Sequence, residues 1–166
     1  MNFSLIEIFC FFVVRAALPV VIMLLVGCAS TPVIDREVKA YPPVITYALS
    51  LQGVPYRWGK ASPEEGFDCS GFVQHVYKKQ GVFLPRTVGE MAATLPQVPK
   101  SQLHAGDLVI FNTIRNKASH VGLYIEDRKF IHAPSSRAGK VQVSSLENKY
   151  WSKRFIGVRR PTVLED

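Results

Sequence analysis

The sequence predicts an α+β domain, with helices in its first half and antiparallel strands in its second. Two observations carry this prediction. Ahead of the turn signal His104-Ala105-Gly106-Asp107, apolar residues recur at helical spacing, most clearly at Phe72, Val73, Val76 and Tyr77. Beyond it the pattern changes to short runs rich in β-branched and aromatic residues, at 108–111, 120–125, 130–133, 141–144 and 155–159. Helices followed by strands segregate as helices packed on one antiparallel sheet, here of about five strands.

Taken in order, residues 44–52 read as a helix, with Pro43 in its first turn and Gly53 as its stop. A short aromatic segment, Val54-Pro55-Tyr56-Arg57-Trp58-Gly59, and a loop over 60–66 deliver the chain to Asp68, which suits an N-cap. The helix that follows turns Phe72, Val73, Val76 and Tyr77 inward and Gln74, His75, Lys78 and Lys79 outward, and Gly81 closes it. Residues 88–95 are weakly helical, and Pro96 and Pro99 break the chain after them.

At 166 residues, with 48% hydrophobic and 20% charged residues, the chain suits one domain with a real core. Its N-terminus is set apart. A nearly uncharged apolar run from Ala16 to Val26 follows Arg15 and reads as an export signal. The run ends in Leu25-Val26-Gly27-Cys28, which resembles the lipobox of bacterial lipoproteins, where the cysteine is lipidated and becomes the mature first residue. A transmembrane anchor is the alternative, but it wants about 20 apolar residues, and Arg15 interrupts the run. Residues 1–27 are therefore expected to be a signal peptide, with translation starting near Val13 or Val14, because the first charge in the chain is Glu7 rather than a basic residue. Residues 28–43, with Pro32, Pro42 and Pro43, read as a tether, and 44–161 as the domain.

Removing residues 1–27 takes away Arg15 and Glu7, so the net charge of +7 stays. A basic protein is drawn to anionic partners. The basic residues are scattered, no nucleic-acid motif accompanies them, and no nucleic-acid partner is expected.

Export also bears on the thiols. Cys10 leaves with the signal and Cys28 is capped by lipid, so Cys69 stands unpaired in an oxidising compartment, which suggests a free reactive thiol. At the first turn of its helix it meets backbone N–H groups and the positive end of the macrodipole, which favour thiolate. Burial as a small hydrophobe is the competing reading.

Of the four histidines, His75 lies on a polar helix face and His104 in a turn, and both are assigned structural roles. His120 and His132 fall on strands joined by a hairpin. A two-residue turn at Asp127-Arg128 would put them on opposite faces. A three-residue loop, Glu126-Asp127-Arg128, pairs Ile125 with Lys129 and puts His132 opposite Gly122, on the face of His120 and within reach of it. That register carries strain at Arg128, where glycine is preferred. Gly122 would leave room between the rings.

The ordered motifs Tyr56-Arg57-Trp58-Gly59, Asp68-Cys69-Ser70-Gly71-Phe72, Pro85-Arg86-Thr87, Gly106-Asp107-Leu108, Ser119-His120-Val121-Gly122 and Phe130-Ile131-His132-Ala133 resemble the NlpC family of papain-like cysteine peptidases. The resemblance implies a minimal papain-like fold and cleavage of an amide in peptidoglycan stem peptides or their cross-links. It makes Cys69 the nucleophile, His120 the general base and His132 the residue that orients it. Tyr56 matches an oxyanion or substrate-binding tyrosine, and Asp68 and Ser70 match residues of the pocket for the substrate's free amino terminus. For these three, core packing and helix capping are the alternatives. Lys60 and Val88 depart from the common pattern, the latter where a hydroxyl often stands.

No cofactor is implied. A zinc set of the cysteine and histidines lacks the close ligand pairs of such sites, so no metal is expected. The expected partners are stem peptides and, through lipidated Cys28, a membrane; in a Gram-negative cell, Ala29 after Cys28 points to the outer membrane, facing the periplasm. A silent lipid-anchored wall-binding protein and a related thiol acyltransferase are the competing functions.

Overall fold

The computed structural model describes residues 40–114, 117–135 and 139–162. The expected signal peptide, Cys28 and the tether up to residue 39 lie outside the described residues.

The first helix, α1 (Pro43–Ser50), has proline in its first turn, where a missing N–H costs nothing, and buries Ile45 and Ala48. The segment expected as a loop over 60–66 instead folds back as a small hairpin of β1 (Ala61–Ser62) and β2 (Gly66–Phe67). Two-residue strands carry no periodicity, so the sequence pattern could not reveal them.

Helix α2 (Cys69–Lys78) follows directly, and the side chain of Asp68 caps it by accepting the Gly71 N–H at 2.6 Å. Phe72, Val73, Val76 and Tyr77 are buried, as their spacing predicts. The helix packs on β1 at its first turn. A Cβ on Gly71 would lie 2.2 Å from the Lys60 carbonyl oxygen, so only glycine lets the turn that carries Cys69 come this close. Next comes α3 (Val88–Thr94), opened by a capping box in which Thr87 and Glu90 bond each other's backbone N–H.

Six strands form the main sheet, in the order β3-β8-β4-β5-β6-β7, with every neighbouring pair antiparallel. They are β3 (Gln97–Val98), β4 (Leu108–Phe111), β5 (His120–Tyr124), β6 (Lys129–His132), β7 (Gln142–Ser145) and β8 (Phe155–Arg159). The extra strand is β3. Its two residues lie between the expected breakers Pro96 and Pro99 and pair with β8 at the sheet edge, where proline is tolerated. A short helix, α4 (Lys149–Ser152), precedes β8 and was not visible in the sequence pattern.

Both faces of the sheet centre are covered. Leu108, Ile110, Val121, Leu123 and Ile131 join the helices in one core cluster. Val109, Phe111, Phe130 and Leu146 form a second, with Trp151 of α4 and Phe155 packed against it. The second explains why β4 reads as a continuous apolar run rather than an alternating one.

The β5–β6 hairpin takes the three-residue loop. Leu123 pairs with Ile131 and Tyr124 with Phe130, and Ile125 N–H donates to the Lys129 carbonyl at 2.9 Å. The expected strain is present and is larger than expected, because both Asp127 (φ 46°) and Arg128 (φ 58°) are left-handed. At Gly122 the expectation is corrected. The space above it is taken by the Phe130 ring, which a Cβ would meet at 2.5 Å, and is not left open between the histidines.

Candidate active site

Four segments converge on a cleft of about 520 Å³ that contains Cys69. Trp58 and Gly59 come from the turn before β1, Asp68 to Ser70 from the start of α2, and Arg86 to Gly89 from the start of α3. Ile114, Ala118 and Ser119 come from the β4–β5 connection. Two large apolar side chains stand unusually open here, Trp58 at 84% and Ile114 at 63% exposure.

Cys69 is a free cysteine, partly buried, at the first position of α2. Backbone groups of Val121, Ser70 and Cys69 itself lie near its sulfur and favour thiolate, as the helix start predicts. Burial outweighs them. Together with the nearby Asp68 carboxylate, it pushes the thiol up to about 11, so the resting group is a neutral thiol. Helix position alone misses this desolvation.

His120 and His132 lie on one face of the β5–β6 hairpin, buried, with His120 Nε2 2.7 Å from His132 Nδ1. Their rings meet edge to face at 5.0 Å. Burial holds His120 down at about 4 and His132 well below its usual value of 6.5, the latter helped by His120. Both are neutral imidazoles near pH 7. Trp151 stacks on His120 at 5.2 Å and turns its edge to His132 at 4.8 Å, and Phe130 covers His132 at 4.7 Å. His132 Nε2 lies 2.9 Å from Ser144 Oγ on β7.

The thiol reaches the peptide of Val121, the residue directly after His120. No hydrogen bond joins the Cys69 sulfur to the His120 ring among the described residues; such contacts are often loose without substrate and tighten in its complex. Burial first, and then negative charge on Asp68 and on Cys69 once it ionises, raises the Tyr56 phenol. It is therefore a protonated O–H donor.

Asp68 is saturated. Oδ1 accepts from Gly71 N–H (2.6 Å), Arg86 Nη1 (3.0 Å) and Ser70 Oγ (3.3 Å), and Oδ2 accepts from Arg86 Nη2 (2.7 Å) and Gly59 N–H (2.9 Å). Arg86 also donates to Ser70 Oγ at 2.9 Å. The Asp68 side chain is 10% exposed and that of Arg86 38%, so the cleft shows the guanidinium rather than the carboxylate. Sequence reasoning gave Arg86 no role of its own, although Thr87-x-x-Glu90 was a legible capping box that fixes the preceding residue at a helix entry. Trp151 and Ser144 carried no such signal. His75 bonds the Tyr47 hydroxyl at 2.8 Å and takes no part in the cleft lining.

A helix-borne thiol beside an antiparallel sheet that carries a paired histidine on its second-half strands places the chain among papain-like α+β proteins. The chain belongs to the NlpC/P60 family, whose model matches residues 53–160. It is 45% identical over 127 residues to murein DD-endopeptidase MepH of Escherichia coli (strain K12), which covers 74% of this chain and 46% of that protein. It is 42% identical over 126 residues to murein DD-endopeptidase MepS/murein LD-carboxypeptidase of the same strain, covering 75% and 65%. The crystal structure of an NLP/P60 family protein described as similar to lipoprotein, from Staphylococcus aureus subsp. aureus Mu50, matches with a TM-score of 0.66 and 34% identity, over 73% of this chain and 41% of that one. The chain thus spans between 41% and 65% of the length of these relatives.

Proposed function

We propose that the protein is a peptidoglycan endopeptidase that cuts an amide in stem peptides or their cross-links through Cys69, His120 and His132. The observation that carries this reading is the chain of contacts from the Cys69 sulfur to the Val121 peptide and, beside it, from His120 to His132 at 2.7 Å. Relatives named as murein endopeptidases supply the substrate class.

His120 spends Nε2 on His132, so Nδ1 is the nitrogen that takes the thiol proton. The freed sulfur attacks the amide carbon, and the carbonyl π electrons move to oxygen. Tyr56 and the Cys69 backbone N–H stabilise that oxyanion. His120 then gives its proton to the amide nitrogen, the C–N bond breaks and the amine leaves. Water attacks the thioester, yields its proton to His120 and releases the carboxylate as the sulfur regains a proton. Asp68 and Ser70 act with Arg86 as the polar wall of the substrate cleft. Digestion of defined muropeptides, followed by mass analysis, tests the assignment; wild-type protein that yields no cleaved peptide under any condition would end it.

The pH dependence follows from burial. With His120 held at about 4 and Cys69 at about 11, kcat/KM is expected to stay level from about pH 5 to about pH 10 and to fall as His120 takes a proton. Stability responds earlier. The folded chain binds protons at His120 and His132 less readily than the unfolded chain, so the stability they confer is present above about 6.5 and is lost as pH falls towards 4. Thermal melting across pH 4–8 reads this directly, and a midpoint that rises on acidification would contradict it.

We also propose that the protein is exported and held at a membrane by lipid on Cys28, on the support of Leu25-Val26-Gly27-Cys28. Metabolic labelling with palmitate is expected to mark the wild type and not Cys28→Ala; equal labelling of both would remove the anchor.

A further inference from the structure

We propose that Ser144 is a positioning residue for this reaction, fixing the tautomer of His132 so that His120 can carry a positive charge. The proposal rests on the reading of His120 as the base. His132 uses both ring nitrogens, Nδ1 towards His120 Nε2 at 2.7 Å and Nε2 towards Ser144 Oγ at 2.9 Å. A neutral imidazole has one N–H and one lone pair, so settling one end settles the other.

Two arrangements satisfy the resting pair. In the first, His120 Nε2–H donates to His132 Nδ1 and His132 Nε2–H donates to Ser144 Oγ, leaving a bare Nδ1 on His120. In the second every donor is reversed, and His120 Nδ1 carries a proton and cannot accept one. Only the first survives the reaction. Once His120 has taken the thiol proton, both of its nitrogens are donors, so His132 Nδ1 must accept and His132 Nε2 must hold the proton. That N–H then needs an acceptor, and Ser144 Oγ is its partner.

Among the described residues no other side chain hydrogen-bonds the His132 ring. Phe130 and Trp151 wall the His132 ring, and His132 is fully buried. An unpaired N–H there would carry the full desolvation penalty. Ser144 is held in place by strand pairing, since it lies opposite Phe130 in the β6–β7 register, and this puts its hydroxyl on the face that carries His132. A hydroxyl on a paired strand is a more rigid acceptor than one on a loop.

The test uses the full chain as wild type, Ser144→Ala and Ser144→Thr. Iodoacetamide alkylation at Cys69, followed by peptide mass mapping, and nitrogen NMR of the histidine rings both report the site without any substrate. Ser144→Ala is expected to slow Cys69 alkylation and to lower kcat about 10- to 30-fold, with KM within about 2-fold, because one buried donor is stranded in the charged state. The proton signature at His132 Nε2 should weaken in parallel, and the acid limb of the rate profile should move to lower pH. Ser144→Thr, which keeps the oxygen, should restore both rate and signature. Wild-type alkylation and an unchanged His132 tautomer in Ser144→Ala would overturn the proposal, as would a Ser144→Thr variant as slow as the alanine one. Wild-type protein that shows the expected tautomer and Ser144 dependence yet cuts no muropeptide would overturn the endopeptidase reading and leave the positioning role standing.

Discussion

Cys69→Ala is expected to reduce muropeptide cleavage to background, a loss on the order of 10³-fold or more, while the fold stays intact. In the proposed mechanism the sulfur is the atom that forms the acyl bond, and no second thiol lines the cleft. Alanine fits the position without strain, because it is a good helix former at the first residue of α2 and Cys69 is only partly buried. Circular dichroism and melting should therefore match the wild type, which separates chemistry from stability. Binding of the uncut peptide should survive, since the guanidinium of Arg86 and the exposed faces of Trp58 and Ile114 are untouched. Cleavage at the wild-type rate by Cys69→Ala would sink the thiol mechanism outright.

Asp68→Ala has the second largest expected effect, and it acts on structure first. One carboxylate holds the N-terminus of α2, the turn at Gly59, Ser70 and the Arg86 guanidinium. Loss of the cap alone costs about 1 kcal/mol. Removing the charge partner of a half-exposed arginine adds less than the 3–5 kcal/mol of a fully buried pair, so the total should fall at about 2–3 kcal/mol. Chemical denaturation measures it. Activity should drop as well, because the first turn of α2 positions the sulfur. Asp68→Asn should recover part of the cap but not the two-point grip on Arg86, and a variant as stable as wild type would show that the carboxylate is dispensable.

How much of this was legible depended on whether the signal was periodic. Helix α2 could be read from Asp68 to Gly81 because a cap, an apolar face and a glycine stop all agree. The hairpin register could be read because, of the two- and three-residue turns, only the three-residue one puts both histidines on one face. The hairpin of β1 and β2 and the edge strand β3 escaped, since two residues hold no period. Arg86, Trp151 and Ser144 escaped for a different reason. Each acts through a partner distant in sequence, Asp68 for the first and the histidine pair for the other two, and only the tertiary fold brings them together. Helix position alone does not show the cost of a charge at Cys69, because it is local whereas burial is a property of the whole fold.

The turn at Glu126-Asp127-Arg128 has a consequence out of proportion to its size. Its side chains do not line the cleft, yet its length decides which way His132 points. Shortening it by one residue would slip β6 against β5 and send His132 into the helix-side core, disarming the protein with every reacting side chain still present. On the proposed mechanism, competence is stored partly as a count, in two left-handed residues at the opposite end of β5 from His120, and a change of length there is a change of chemistry.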